Sequence, residues 1–411
     1  MLFFWTALIL LFSAVMSPAS AQSLRDDDVI SVRERLAPEY LALGVRAGGM
    51  IITPGLSVEE TYDDNVFRTT DNEEEDFITV LEPTVNVQTD WNLHQVELDA
   101  RGEVGYYADN SDENYQDYAA GLSGRYDIAH QTYLTGALRH EKRHENRDSP
   151  DDVRGDEPTE YDRTTARVEF VRALARLKLR TSGRYRVYRF DDARRQNVIV
   201  DNSGRDREEQ RYEGRLSYEL SPGYDLYVSG AWDVREYDRS GAQDRSSKGY
   251  EANVGTAVNI SGKLRGDIYG GYTDRDYDRG FEDIETGNVG GAVLWNVSGL
   301  TSLRGSLERD VFETTGTGVS GYIRTGGGLS VEHALRRYII LDGFVHFDED
   351  EFIGSGTNRE DETYRAGLGV EYKPRRGTTI QLGYDYRDRD STNAPANYTN
   401  HRFRTSLHYN Y

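Results

Sequence analysis

The sequence predicts an all-β protein: a transmembrane antiparallel up-and-down β-barrel of about eighteen strands, with short periplasmic turns and long extracellular loops. Three observations predict it. From Met50 onward the chain alternates apolar and polar residues with period 2, as a strand with one lipid face and one wet face must. The connections alternate in length, long then short. The segment Asn400–Tyr411 sets Phe403, Thr405, Leu407, Tyr409 and Tyr411 on one side and Arg402, Arg404, Ser406, His408 and Asn410 on the other.

That last segment resembles the C-terminal strand of bacterial outer-membrane barrels, which ends in an aromatic residue and is read by the barrel assembly machinery. Phe403, Leu407, Tyr409 and Tyr411 carry the likeness, which implies that machinery as a partner.

The chain opens with an apolar run, Leu2–Met16, followed by the small-x-small site Ala19-Ser20-Ala21. We read residues 1–21 as a signal peptide cleaved near Ala21, although no Lys or Arg precedes the run. Residues 22–48 form a polar periplasmic extension, in which Asp26-Asp27-Asp28 caps a helical turn through Val29–Leu36 that Pro38 ends. Residues 49–411 are the barrel, with both termini periplasmic. No later run approaches the ~20 apolar residues of a membrane-spanning helix.

The predicted strands are 50–61, 77–89, 93–107, 114–126, 132–143, 160–172, 175–190, 207–220 and 223–236 in the first half. They continue as 248–260, 263–275, 284–297, 300–312, 318–332, 336–348, 359–372, 378–389 and 399–411. Short turns fall at Asp90-Trp91-Asn92, Ala173-Leu174, Ser221-Pro222, Ser261-Gly262 and Ser298-Gly299. Long polar loops fall at 62–76, 144–159, 191–206, 237–247, 276–283, 349–358 and 390–398. A β-propeller would show a blade-length repeat, and none is visible.

Composition fits the barrel. Mean hydropathy is only −0.73, but a barrel has a wet lumen and polar loops, so the average stays low. Many of the 29 Tyr sit near strand ends, where amphipathic rings favour the headgroup level. A formal net charge of −22 argues against nucleic acid as a partner. The acidity reads as solvated loops, or else as a vestibule that attracts cations or bridges divalent ions to lipopolysaccharide. With no Cys there is no disulfide framework and no thiolate metal site.

Function is expected in the lumen, since a barrel of this width leaves an aqueous channel. Strand parity points Arg176, Lys178, Arg180, Arg184 and Arg186 one way as a basic ladder, and Glu97, Asp99 and Glu103 inward from another wall. Such charges either pair across strands or tune which solute passes. Tyr188, Tyr227, Tyr269, Tyr322 and Tyr338 share inward parity, as a slide for sugar rings would require. No HExxH, GxSxG or Walker pattern occurs, so no catalytic residue, metal or cofactor is expected. The acidic runs Asp71–Asp76 and Asp348–Glu351 read as solvated loop rather than Ca²⁺ sites.

A family likeness joins these readings. Val32–Tyr40, Gly44–Gly48, Pro54, Tyr62–Arg68, Phe77–Pro83, Tyr107–Ser111, Ser149–Val153 and Pro158–Asp162 resemble the putative β-barrel porin 2 family. The resemblance implies a Gram-negative outer-membrane barrel in contact with lipid and lipopolysaccharide. It also implies a link to exopolysaccharide export, with a saccharide substrate and a periplasmic polysaccharide export protein as partners. The expected function is therefore an export pore for exopolysaccharide or a passage for polar or anionic saccharides. One alternative is a diffusion or solute-uptake porin, which needs a loop folded into the lumen; loops 144–159 and 191–206 are the candidates. The other is a closed structural barrel or barrel-borne hydrolase.

Overall fold

The structure, a computed structural model, describes residues 30–35, 40–238, 244–260, 262–278, 280–355 and 357–411. The signal peptide and the Asp26–Asp28 cap lie outside them, as does most of the extension before residue 30.

Eighteen long antiparallel strands close into one barrel. We number them β1 Met50–Asp63, β2 Asp76–Thr89, β3 Gln95–Tyr107, β4 Tyr115–Ala129, β5 Thr132–His144 and β6 Glu160–Leu174. Then come β7 Leu177–Phe190, β8 Arg207–Ser221, β9 Tyr224–Tyr237, β10 Ser247–Ile260, β11 Leu264–Tyr277 and β12 Ile284–Ser298. The last are β13 Thr301–Glu313, β14 Gly321–Arg336, β15 Ile339–Ile353, β16 Glu360–Arg375, β17 Thr378–Ser391 and β18 Tyr398–Asn410. Each pairs with its sequence neighbour, and β18 closes on β1 in the register Gly55↔Asn410 to Asp63↔Arg402. A short strand, Val45–Ala47, folds back on the start of β1. At 13 to 16 residues the strands exceed the ~9–11 that a tilted strand needs to cross a bilayer.

Burial is inverted relative to a water-soluble domain. Leu368, Leu329 and Val254 are 69%, 66% and 64% exposed on the outer face, while Asp63 and Glu169 are 0% exposed on the inner one. The outer face meets lipid, so its apolar exposure is the stable arrangement. The inner face satisfies its charges across strands: Arg211 with Glu251 at 2.5 Å, Arg275 with Asp233 at 2.6 Å and Arg215 with Asp267 at 2.9 Å.

All tight turns lie at one end, the turn end, and all long connections at the other, the loop end. Three details differ from the sequence reading. The run Asp348–Glu351 is not loop: it lies inside β15, which extends to Ile353, and Asp348 and Asp350 are buried on its inner face, paired with Arg365 and Arg324. The turn expected at Ala173-Leu174 sits two residues on, at Ala175-Arg176, because β6 continues until Leu174 pairs with Leu177 and Ala175 takes φ +50. The segment 191–206 is not plain loop: Ala193–Arg195 and Val198–Val200 form a small hairpin.

Candidate functional site

At the loop end the connection 145–159 does not stand up from the rim. It leaves β5, crosses the mouth and docks on the far wall. There the Asp151 carboxylate accepts hydrogen bonds from Thr314 Oγ1 at 2.6 Å and the Thr315 backbone N–H at 2.7 Å. Asp148 pairs with Arg387 of β17, and its carbonyl accepts from Arg389 at 3.0 Å. The landing segment is itself braced, with Arg245 donating to the carbonyls of Thr314 at 3.0 Å and Thr315 at 3.1 Å.

The near end of the crossing is tied down just as firmly. Arg205 holds Glu145 through two hydrogen bonds of 2.7 and 3.0 Å. Arg147 pairs with Glu113 and donates to the Gly155 carbonyl at 3.0 Å. The Asp156 N–H donates to the Arg194 carbonyl at 2.6 Å, so the small hairpin packs behind the crossing segment. Burial pushes the Asp152 carboxyl above the usual carboxylate range despite the pull of Arg147 beside it. Arg147 is held above its usual value by Glu113 and Asp152, against the cost of its own burial.

Under this crossing lies a chamber of about 560 Å³. Its wall combines aromatic rings with guanidinium groups. Tyr161 stacks on Phe190 at 5.1 Å, Arg205 sits 4.1 Å over Phe190, and Arg207 sits 4.0 Å over Tyr188. Most of the cations are matched: Arg163 by Glu141 at 2.6 Å, Arg324 by Asp350 at 2.6 Å, Arg402 by Asp63 at 2.6 Å and Arg365 by Asp348. Arg143 of β5 differs. It lines the chamber, and among the described residues it has no carboxylate within 4 Å. Among the described residues Arg389 also has no carboxylate within 4 Å; it holds the Asp148 carbonyl, Thr363 and the Tyr398 ring. A guanidinium left free beside aromatic rings suits a small ligand that carries a carboxylate on an apolar or sugar ring.

The basic ladder divides. Lys178, Arg180, Arg184 and Arg186 share the inner face of β7, between the lipid-facing Leu177, Leu179 and Tyr185. Arg176 leaves the ladder: it sits exposed in the turn, because β7 begins one residue later. Arg180 is 7% exposed and lies 3.9 Å from Glu169, and Arg186 lies 3.5 Å from Glu209. Arg184 alone of the arginines on this strand's inner face has no carboxylate within 4 Å among the described residues. The acidic set is paired as well. Glu97 accepts from Asn86 at 2.6 Å, Asp99 from Arg139 at 2.6 Å and Glu103 from Tyr115 at 2.7 Å. Phe403, Leu407, Tyr409 and Tyr411 are all exposed, and the three within β18 lie on its outer face.

The inward tyrosines do not form one slide. Tyr227 and Tyr269 lie flat over the cross-strand glycines Gly255 and Gly290, where any Cβ would strike the ring. Tyr227 is fixed further by its hydroxyl donating to Asp267 at 2.6 Å. Tyr338 sits in a turn and packs edge-on against Tyr372. Only Tyr188 and Tyr322 reach the chamber. Sequence reading missed Arg143 and Arg389 because it sought charge along one strand. The signal that could have found them is strand parity carried round the barrel, since Arg143 follows Arg139 and Glu141 on one face.

A closed barrel with a lipid-matched outside and a polar lumen crossed by a loop is the architecture of an outer-membrane porin. The chain belongs to the family described as putative beta-barrel porin 2, whose profile matches residues 37–411. No curated protein matches it. Among solved structures, it is similar to OpdL of Pseudomonas aeruginosa, at 13% identity over 89% of this chain and 99% of that one, with a TM-score of 0.46. It is also similar to OccK9 (OpdG) of the same organism, at 11% identity over 88% and 98%, TM-score 0.48. OccAB3 of Acinetobacter baumannii gives 10% over 89% and 100%, TM-score 0.47. Nothing about cargo follows from likeness at this level.

Proposed function

We propose that the chain is a solute-uptake porin that passes small polar anions, sugar acids among them, rather than an exit for exopolysaccharide. One observation carries this reading: segment 145–159 crosses the lumen and roofs a chamber in which Arg143 has no carboxylate partner among the described residues. A polymer would have to thread past that crossing, whereas a small solute can pass beside it. Arg143 and Arg184, with no carboxylate within 4 Å among the described residues, would lower the barrier for an anion, and the paired charges around them would hold the wall rigid.

In this reading the loop end faces the exterior and the turn end the periplasm, and both termini are periplasmic. The signal is cleaved after Ala21, the aromatic last strand serves the assembly machinery, and the protein has no catalytic role. Liposome swelling with the refolded protein tests the function. A uronate should enter faster than a neutral hexose of equal size, and Arg143→Glu should abolish the difference. Equal rates in the unmodified protein would refute anion preference; entry of long oligosaccharides would restore the export reading.

A further inference from the structure

At the turn end the lumen holds the turn at residues 30–35, and we infer that this turn is a plug held by Arg33. The described turn at residues 30–35 lies inside the barrel mouth, against the inner faces of β12 to β16. Ser31 and Val32 are 2% and 6% exposed. The Val32 N–H donates to Ser302 Oγ at 2.8 Å, and Asn296 Nδ2 donates to the Ile30 carbonyl at 3.0 Å. Arg35 returns a hydrogen bond to Asn296 Oδ1 at 3.1 Å.

The Arg33 guanidinium reaches three carboxylates on three neighbouring strands. Asp342 lies at 2.5 Å, Glu371 at 3.6 Å and Glu332 at 4.0 Å, and the Arg33 N–H also donates to Glu332 at 3.1 Å. Lys373 joins the cluster through Glu371 at 2.5 Å. A surplus of carboxylates on a lumen wall is costly without a countercharge. Arg33 supplies one, and its position draws the turn into the mouth. The arrangement is independent of which solute the pore passes.

Removing the cation has two consequences that a passive tether would not produce together. The turn loses its anchor and leaves the mouth, so conductance rises. The exposed Glu332, Asp342 and Glu371 then favour cations, so the reversal potential moves toward the cation value. Planar-bilayer recording of the full mature chain tests both. Arg33→Glu should conduct several-fold more than the unmodified protein and shift toward cations. The exchange Arg33→Asp with Asp342→Arg should restore the low conductance, because it rebuilds a pair in the same place.

Because the chain has no native Cys, Val32→Cys with Ser302→Cys can be oxidised to lock the turn in place. The locked protein should hold the low state until a reductant is added, even when it also carries Arg33→Glu. If Arg33→Glu folds to a heat-modifiable barrel and conducts like the unmodified protein, with the lock also without effect, the turn is not a plug.

Discussion

The two ends of the lumen are closed by opposite electrostatics. At the loop end the wall is rich in arginine and the crossing segment brings carboxylates to it: Asp148 meets Arg387, and Asp151 meets the N–H and hydroxyl groups of Thr314 and Thr315. At the turn end the wall is rich in carboxylates and the occluding segment brings the arginine, Arg33. Each closure therefore neutralises its own wall. Among the described residues, Arg143 and Arg389 under the crossing and Arg184 further along the wall have no carboxylate within 4 Å. Selectivity should reside in these residues and not in the long list of charges that are already paired.

Breaking the loop-end closure should have the largest effect. Deleting residues 146–157 in the Arg33→Glu background, where the turn end is open, removes the crossing and should raise single-channel conductance several-fold over Arg33→Glu alone, with weaker anion preference; an unchanged conductance would mean that the segment does not restrict the path. Next in size is the stability of the paired wall. Glu169 is 0% exposed, sits 3.0 Å from Arg167 and 3.9 Å from Arg180, and loses its charge in Glu169→Gln. Stranding buried cations in this way costs about 3–5 kcal/mol, read as a lower urea midpoint for loss of the heat-modifiable form. Arg180→Glu should likewise destabilise the barrel, whereas Arg184→Glu should spare stability and change selectivity.

A smaller effect is expected at the docking contact. Asp151→Ala removes two hydrogen bonds, worth about 1 kcal/mol each, and should raise current noise from an intermittently released crossing segment rather than open the pore outright.

The smallest concerns pH. The Asp152 carboxyl is pushed up by burial, so the docked loop binds its proton more readily than the released loop does. A raised acid binds more protons in the ordered state, so this group opposes docking fully above its raised value, and that opposition is relieved as pH falls through the raised value to the ordinary carboxylate value. In Asp152→Asn that contribution should disappear, leaving loop-opening noise less dependent on pH across the acid range.

Much of this architecture was legible in the sequence, because side-chain alternation is a direct consequence of having lipid on one side and water on the other. The strand Leu177–Phe190 shows it residue by residue, with Leu177, Leu179 and Tyr185 outward and Arg180 and Arg184 inward. Parity told which face a charge takes but not whether an opposite charge stands on the next strand. That is why the ladder looked basic, although Arg180 and Arg186 face Glu169 and Glu209. Arg176 was misplaced because a turn shifted by two residues moves the strand start. The inward crossing of 145–159 and the docking of Arg33 depend on contacts more than a hundred residues apart, such as Asp151 with Thr314 and Arg33 with Asp342. No local pattern encodes such partners.

The most direct test of the account is the reversal potential under a salt gradient, for the unmodified protein and for Arg143→Glu. The account predicts anion preference in the first and its loss or inversion in the second, with the barrel's stability unchanged. A cation-preferring unmodified pore, or an Arg143→Glu variant with the same reversal potential, would contradict it.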